Sequence, residues 1–179
     1  MLQKYFIAII PPEPLLSEIQ NIKQDIFEKY QSKGALRSPA HITLHMPFSF
    51  EESKEDKLIN CLNEFKFDKS FLINLKNYNC FEPRVIFIDV QHQDELFGLQ
   101  RQLVNHVKRG LNLFNQSDDM RGFHPHITIA FRDLKKPMFY KAWEEYKIKS
   151  LAANFACQSF SLLKHQKDAW VVFKNFNVA

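Results

Sequence analysis

Along the chain, short β-rich apolar runs alternate with stretches in which apolar residues return every three or four positions. The change of period predicts an order of elements. Residues 5–10 form a β-rich run stopped by Pro11 and Pro12, hence a strand. From 14 to 30, Leu15, Leu16, Ile19, Ile22, Ile26 and Phe27 recur at helical spacing, with Gly34 as the stop signal. A polar loop at 33–39 precedes a strand at 41–48. A helix at 51–65, with Ser53 and Asp56 as start signals, leads to a strand at 71–78. The pattern then restarts. A strand at 85–90 is followed by a long helix at 94–114, whose Leu96, Leu99, Leu103, Val107, Leu111 and Phe114 fall on one stripe. A polar loop at 115–122, a strand at 124–131 and a short helix at 138–146 after Pro137 come next. Two last strands are expected around 154–163 and 169–176.

Strand, helix, strand, helix, strand thus occurs twice. This predicts an α+β chain of one domain built from two similar halves, about 1–82 and 83–179, since a repeat of this length is too long for a solenoid. The second halves of the two units share more than pattern. The chain has only two threonines, Thr43 and Thr128, and each follows a histidine by two residues in the tripeptide His-Ile-Thr. His126 lies 85 residues after His41.

In a strand, residues i and i+2 share a face. His41 with Thr43, and His126 with Thr128, therefore present an imidazole and a hydroxyl together, while Ile42, Leu44, Ile127 and Ile129 face a core. An imidazole exchanges protons near neutral pH, and a hydroxyl donates to an anionic oxygen. Two such pairs facing each other supply a base, an acid and two donors. That set suits in-line displacement at phosphorus, with proton transfer and hydroxyl donors handling the charge without a metal.

Composition narrows the ligand. The net charge of +4 permits a phosphate-bearing ligand, but no basic block suits a long nucleic-acid duplex. Neither a P-loop nor a GxGxxG is present, and no cofactor is expected. Cys61, Cys80 and Cys157 are scattered and show no zinc-ligand spacing. A zinc set of His41, His45, His124 and His126 is conceivable by ligand count, but lacks a carboxylate or cysteine partner. No leader is legible and no apolar stretch approaches ~20 residues. The expectation is a cytoplasmic protein without a membrane segment or an obligate protein partner, acting as a monomer.

His41-Ile42-Thr43-Leu44 and His126-Ile127-Thr128-Ile129, with Phe6-Ile7-Ala8-Ile9 and Pro125, resemble the two-histidine (2H) phosphoesterase superfamily, in its 2′-5′ RNA ligase and cyclic phosphodiesterase branch. The resemblance implies a bilobal, pseudo-twofold fold of two antiparallel sheets flanked by helices around a central cleft. It implies His41 and His126 as catalytic residues and Thr43 and Thr128 as phosphate-binding ones. The implied activity is metal-independent opening of 2′,3′-cyclic phosphodiesters on RNA ends or small cyclic nucleotides. The same motifs fit a 2′-5′ RNA ligase or 2′-5′ phosphodiesterase, and a non-catalytic binder of RNA ends is the remaining alternative. His45-Met46-Pro47-Phe48 departs from the leucine-glycine continuation common among ligase-like members.

Three residues extend the set by strand register. His45 at i+4 from His41, His124 at i−2 from His126 and Arg132 at i+6 from His126 nominally share the histidine face. They could orient an imidazole or clamp a phosphate, or be ordinary strand-end polar groups. Lys33, Arg37 and Arg121, in the loops before the motifs, could steer an RNA end or be solvated charge. Phe6 could stack on a base or pack in the core.

Overall fold

The computed structural model describes residues 1–67, 69–115 and 122–178. Eight strands and four α-helices follow in the order β1 (Leu2–Ile9), α1 (Leu15–Tyr30), β2 (Ile42–Glu51), α2 (Glu55–Glu64), β3 (Leu72–Phe81), β4 (Val85–Val90), α3 (Asp94–Leu111), β5 (His126–Ala130), α4 (Lys136–Tyr146), β6 (Ala152–Ala156), β7 (Ser159–Gln166) and β8 (Ala169–Asn177). Single 3₁₀ turns at Gly34–Arg37 and Glu52–Lys54 precede β2 and α2.

The strands form one antiparallel sheet in the order β6-β3-β4-β5-β2-β1-β7-β8, where two sheets were expected. The reason lies at its centre. β2 and β5, the strands that carry the two motifs, are paired at Ile42–Ile127, the one registered position between them among the described residues. Their outer edges are paired more extensively, β2 with β1 and β5 with β4. The sheet is therefore two four-stranded flanks sewn together at one stitch. The flanks interleave along the chain: β3 lies beyond β4, and β7 and β8 lie beyond β1.

The expected strand at 154–163 is two strands, β6 and β7. They separate at Cys157 and Gln158, whose backbones bond outside either strand: Cys157 N–H donates to Phe71 O, and Gln158 O accepts from Val178 N–H. β6 then pairs with β3 and β7 with β1, so the chain changes flank at that break. α1 ends at Gln31, which takes the left-handed conformation (φ 60°), three residues before the expected stop at Gly34. No side-chain cap from Ser53 or Asp56 starts α2.

One face of the sheet and the inner faces of all four helices make a single apolar core. It holds Ile7 and Ile9 of β1, Ile42 and Leu44 of β2, Ile88 of β4, Ile127 and Ile129 of β5, Ile19 and Ile26 of α1 and Leu99 and Leu103 of α3. On the opposite face only a small cluster forms, Phe6, Ala8 and Leu163, bordered by Ile10 and Trp170. The alternation of β1 thus sorts its residues: odd positions pack under the helices, even positions support the open face.

Candidate active site

Ile42 and Ile127 are fully buried in the helix-side core. Their neighbours His41, Thr43, His126 and Thr128 consequently face the other way, and all four are half-buried. By antiparallel count from the Ile42–Ile127 pair, His41 corresponds to Thr128 and Thr43 to His126. Outward of Thr43 lies Ala8 of β1; outward of Thr128 lies Phe87 of β4, and outward of His126 lies Asp89.

Both imidazoles are held in the same way. His41 Nδ1 lies 2.7 Å from Pro39 O, and His126 Nδ1 lies 2.7 Å from His124 O. A carbonyl can only accept, so Nδ1 carries the hydrogen in both rings and Nε2 is left with its lone pair. Aromatic walls back the rings. Phe6 stands 4.9 Å from His41, and Phe87 and Phe81 stand 4.8 and 5.3 Å from His126. Phe6 is almost fully buried and edged by Trp170 at 4.7 Å, which makes it a packing residue behind His41 rather than an open stacking surface.

The surroundings lower the proton affinity of both rings. Burial pushes His41 down to about 4; the Lys23 ammonium and His126 act in the same direction, against the bond to Pro39 O. Burial also lowers His126, as does His124, while the bond to His124 O and the Asp89 carboxylate oppose the shift. In the free protein both imidazoles thus favour the neutral form.

Two of the three supporting residues are not where strand register put them. His45 is buried on the helix side, with 1% of its surface exposed. β2 carries two irregularities against β1: Tyr5 pairs with Phe48, Ile7 with His45 and Ala8 with Thr43. The extra residue between Thr43 and His45 flips His45 onto the face of Ile7. There its Nδ1 lies 2.9 Å from Met46 O and its ring meets Phe48 edge-on at 5.2 Å. The set His41, His45, His124 and His126 therefore does not converge on one ion. Arg132 lies beyond the end of β5, in the left-handed conformation (φ 58°), exposed and 5.0 Å from the Phe131 ring. His124 does stay beside His126, ring centroids 5.9 Å apart, and is exposed. Lys33 and Arg37 are both exposed in the segment before His41, and Arg121 lies outside the described residues.

That segment is clasped to the end of β5. The Asp133 carboxylate accepts from Ser32 Oγ at 3.0 Å, Lys33 N–H at 2.9 Å and Gly34 N–H at 3.1 Å. The approach is so close that a Cβ at Gly34 would lie 2.5 Å from Phe131 O. Two residues near the motifs escaped the sequence reading. Lys23 sits under His41 with 1% exposure, and Asp89 sits beside His126. Lys23 was legible in principle, because it interrupts the apolar stripe of α1 between Ile19 and Ile26. Asp89 only gains meaning from the pairing of β4 with β5.

A recess of about 330 Å³ lined by Asn74, Asn77, Gln91 and Asn154 lies at the β3–β6 side of the sheet, apart from the histidines. No helix among the described residues is long and apolar enough to cross a membrane.

An antiparallel α+β sheet that displays paired His-x-Thr motifs on its uncovered face defines a phosphoesterase of the two-histidine class. The family model described as the 2′-5′ RNA ligase superfamily matches residues 11–169. The chain belongs to that superfamily. No curated protein matches in sequence. Among solved structures, Escherichia coli LigT complexed with 3′-AMP superposes with a TM-score of 0.67 at 20% identity, covering 100% of this chain and 99% of that one. TT0787 of Thermus thermophilus gives 0.67 at 18% identity over 98% and 97%. The PDE domain of MHV ns2 gives 0.52 at 14% identity over 90% and 99%. At these identities the likeness is one of fold.

Proposed function

We propose that this protein is a metal-independent phosphodiesterase that opens 2′,3′-cyclic phosphodiesters on RNA ends or small nucleotides. His41 and His126 transfer the protons, and Thr43 and Thr128 hold the phosphate oxygens. The observation that carries the reading is the matched pair of imidazoles. Each is pinned through Nδ1 by the carbonyl two residues earlier and presents Nε2 on the same open face, at the position that corresponds by register to the other motif's threonine.

In this mechanism one Nε2 takes a proton from water as the water oxygen bonds to phosphorus. The bond from phosphorus to the 2′ or 3′ oxygen breaks, and the other imidazole, protonated beforehand, gives that oxygen its proton. The product is a phosphomonoester beside a free hydroxyl, and no redox partner or metal takes part. The threonine hydroxyls donate to the non-bridging oxygens as charge gathers there. That crystals of LigT hold 3′-AMP, ATP and NADP+ supports a nucleotide-sized ligand for this chain too. The two-halved architecture, each half bringing one His-x-Thr strand to the middle of the sheet, belongs to the same proposal. So does a cytoplasmic setting, which suits the free thiols of Cys61, Cys80 and Cys157.

A 2′-5′ RNA ligase is the second reading. The description of the family favours it, and its chemistry is the reverse use of the same groups. The test is a panel of 2′,3′-cyclic nucleotides and cyclic-phosphate RNA ends, with the product isomer identified. His41→Ala and His126→Ala are each expected to lower turnover by about 10²–10⁴-fold, with melting temperature retained. Full activity in either variant overturns the reading. Ring opening by a 5′-hydroxyl, which joins two RNA ends, in place of opening by water turns it to the ligase.

A further inference from the structure

Lys23 projects from the buried face of α1, between Ile19 and Ile26, with 1% of its surface exposed. Its ammonium donates to Ser38 O at 3.1 Å, and no carboxylate among the described residues pairs with it. A buried ammonium with a single neutral partner is costly and is seldom kept without a use. Here the bonded segment supplies the use. Ser38 O accepts from Lys23, and the next carbonyl, Pro39 O, accepts from His41 Nδ1–H. The lysine therefore holds the strip of backbone from which His41 takes its tautomer.

We propose that Lys23 is a positioning residue for His41: it anchors the Ser38 carbonyl and, through that backbone, the neighbouring Pro39 carbonyl to which the ring donates. The inference rests on the reading of His41 as a proton-transfer group. The charged and titratable groups about His41 are Lys23 from α1 and His126 from β5, and behind His126 stand His124 and Asp89. Of these, Lys23 alone combines a permanent place in the core with a bond to the segment that fixes the ring. Its own proton affinity falls with burial, to about 7. A phosphate monoanion arriving at Thr43 and Thr128 would bring the negative charge that the buried ammonium lacks.

The test compares wild type, Lys23→Met and Lys23→Arg by melting temperature, by steady-state kinetics on a cyclic nucleotide, and by ¹⁵N NMR of the His41 ring. In Lys23→Met the His41 midpoint is expected to rise but to stay below the ordinary histidine range, because the ring remains buried. The Nδ1–H tautomer should lose dominance, and kcat should fall by up to about 10²-fold with KM little changed. The melting temperature should hold or rise, which a merely structural lysine would not give. Lys23→Arg, keeping the charge, should keep the low midpoint. An unchanged midpoint and tautomer in Lys23→Met overturn the proposal, even if the protein has no phosphodiesterase activity, because the NMR readout does not depend on turnover. Conversely, an active His41→Ala variant sinks the catalytic reading alone. Should Lys23→Met not fold, wild type decides: ionisation of Lys23 must be visible in the His41 ring signals, and its absence there overturns the proposal.

Discussion

At the scale of single residues, the distinctive fact is that burial makes both motif histidines weak bases. His41 is brought down to about 4, and His126 moves in the same direction. The sign of the pH dependence follows. A base works above its own pKa and an acid works below its own, so both limbs of a kcat/KM profile shift below the ordinary histidine value near 6.5. The free enzyme is therefore expected to be most active on the acidic side of neutrality, with kcat/KM declining through pH 7. A pH–rate profile in kcat/KM checks this, and an optimum above pH 7.5 contradicts it. Bound phosphate, being anionic, favours imidazolium. The kcat profile should accordingly sit at higher pH than the kcat/KM profile. Lys23 carries the opposite lesson for stability. A lysine lowered from 10.5 to about 7 by burial penalises the fold in full below pH 7, and the penalty fades as pH rises toward 10.5. Exchanging it for an apolar residue of similar length is worth about 1–4 kcal/mol at neutral pH on the experience of other buried charges.

At the scale of elements, the segment between α1 and β2 is what turns a strand end into half of a site. Asp133 gathers Ser32, Lys33 and Gly34 at the mouth of that segment. Asp133→Ala removes three hydrogen bonds at once and is expected to cost about 1–3 kcal/mol in a denaturant titration, leaving the secondary structure content unchanged. A change within a few tenths of a kcal/mol would mean that the clasp contributes nothing. The elements themselves were largely legible, because their signal is periodic and local. The stripe Leu96, Leu99, Leu103 and Val107 marks α3, and Val85–Val90 is a strand in sequence and structure alike. The two His-x-Thr strands were legible as strands with the expected face, since Ile42 and Ile127 could only be core. What escaped depends on pairing. The irregularity that turns His45 inward exists only against β1, and the break at Cys157 and Gln158 has no glycine or proline to announce it. Arg132 failed for a related reason: strand alternation was extended past Ala130, where β5 stops.

At the scale of the whole molecule, the sheet has an uneven cohesion. β2 and β5 are paired extensively on their outer edges and at a single position toward each other. Amides of β2 and β5 that point across the junction are therefore expected to exchange with deuterium sooner than those that point toward β1 and β4. A ligand bound by both motifs should slow the exchange of the first group more than that of the second. Equal protection on both edges, with and without 3′-AMP, would contradict this. The two antiparallel sheets that the family resemblance implied and the single sheet observed differ by little more than this stitch. A single backbone register position is beyond what residue patterns encode.

The stitch also bears on the spacing of the two histidines. The side chains that meet at it, Ile42 and Ile127, look away from the two imidazoles into hydrocarbon. On the proposed reading, the gap a substrate must fit is framed by that one backbone pairing, and the pairing is held in place by two aliphatic groups packed on the far side of the sheet.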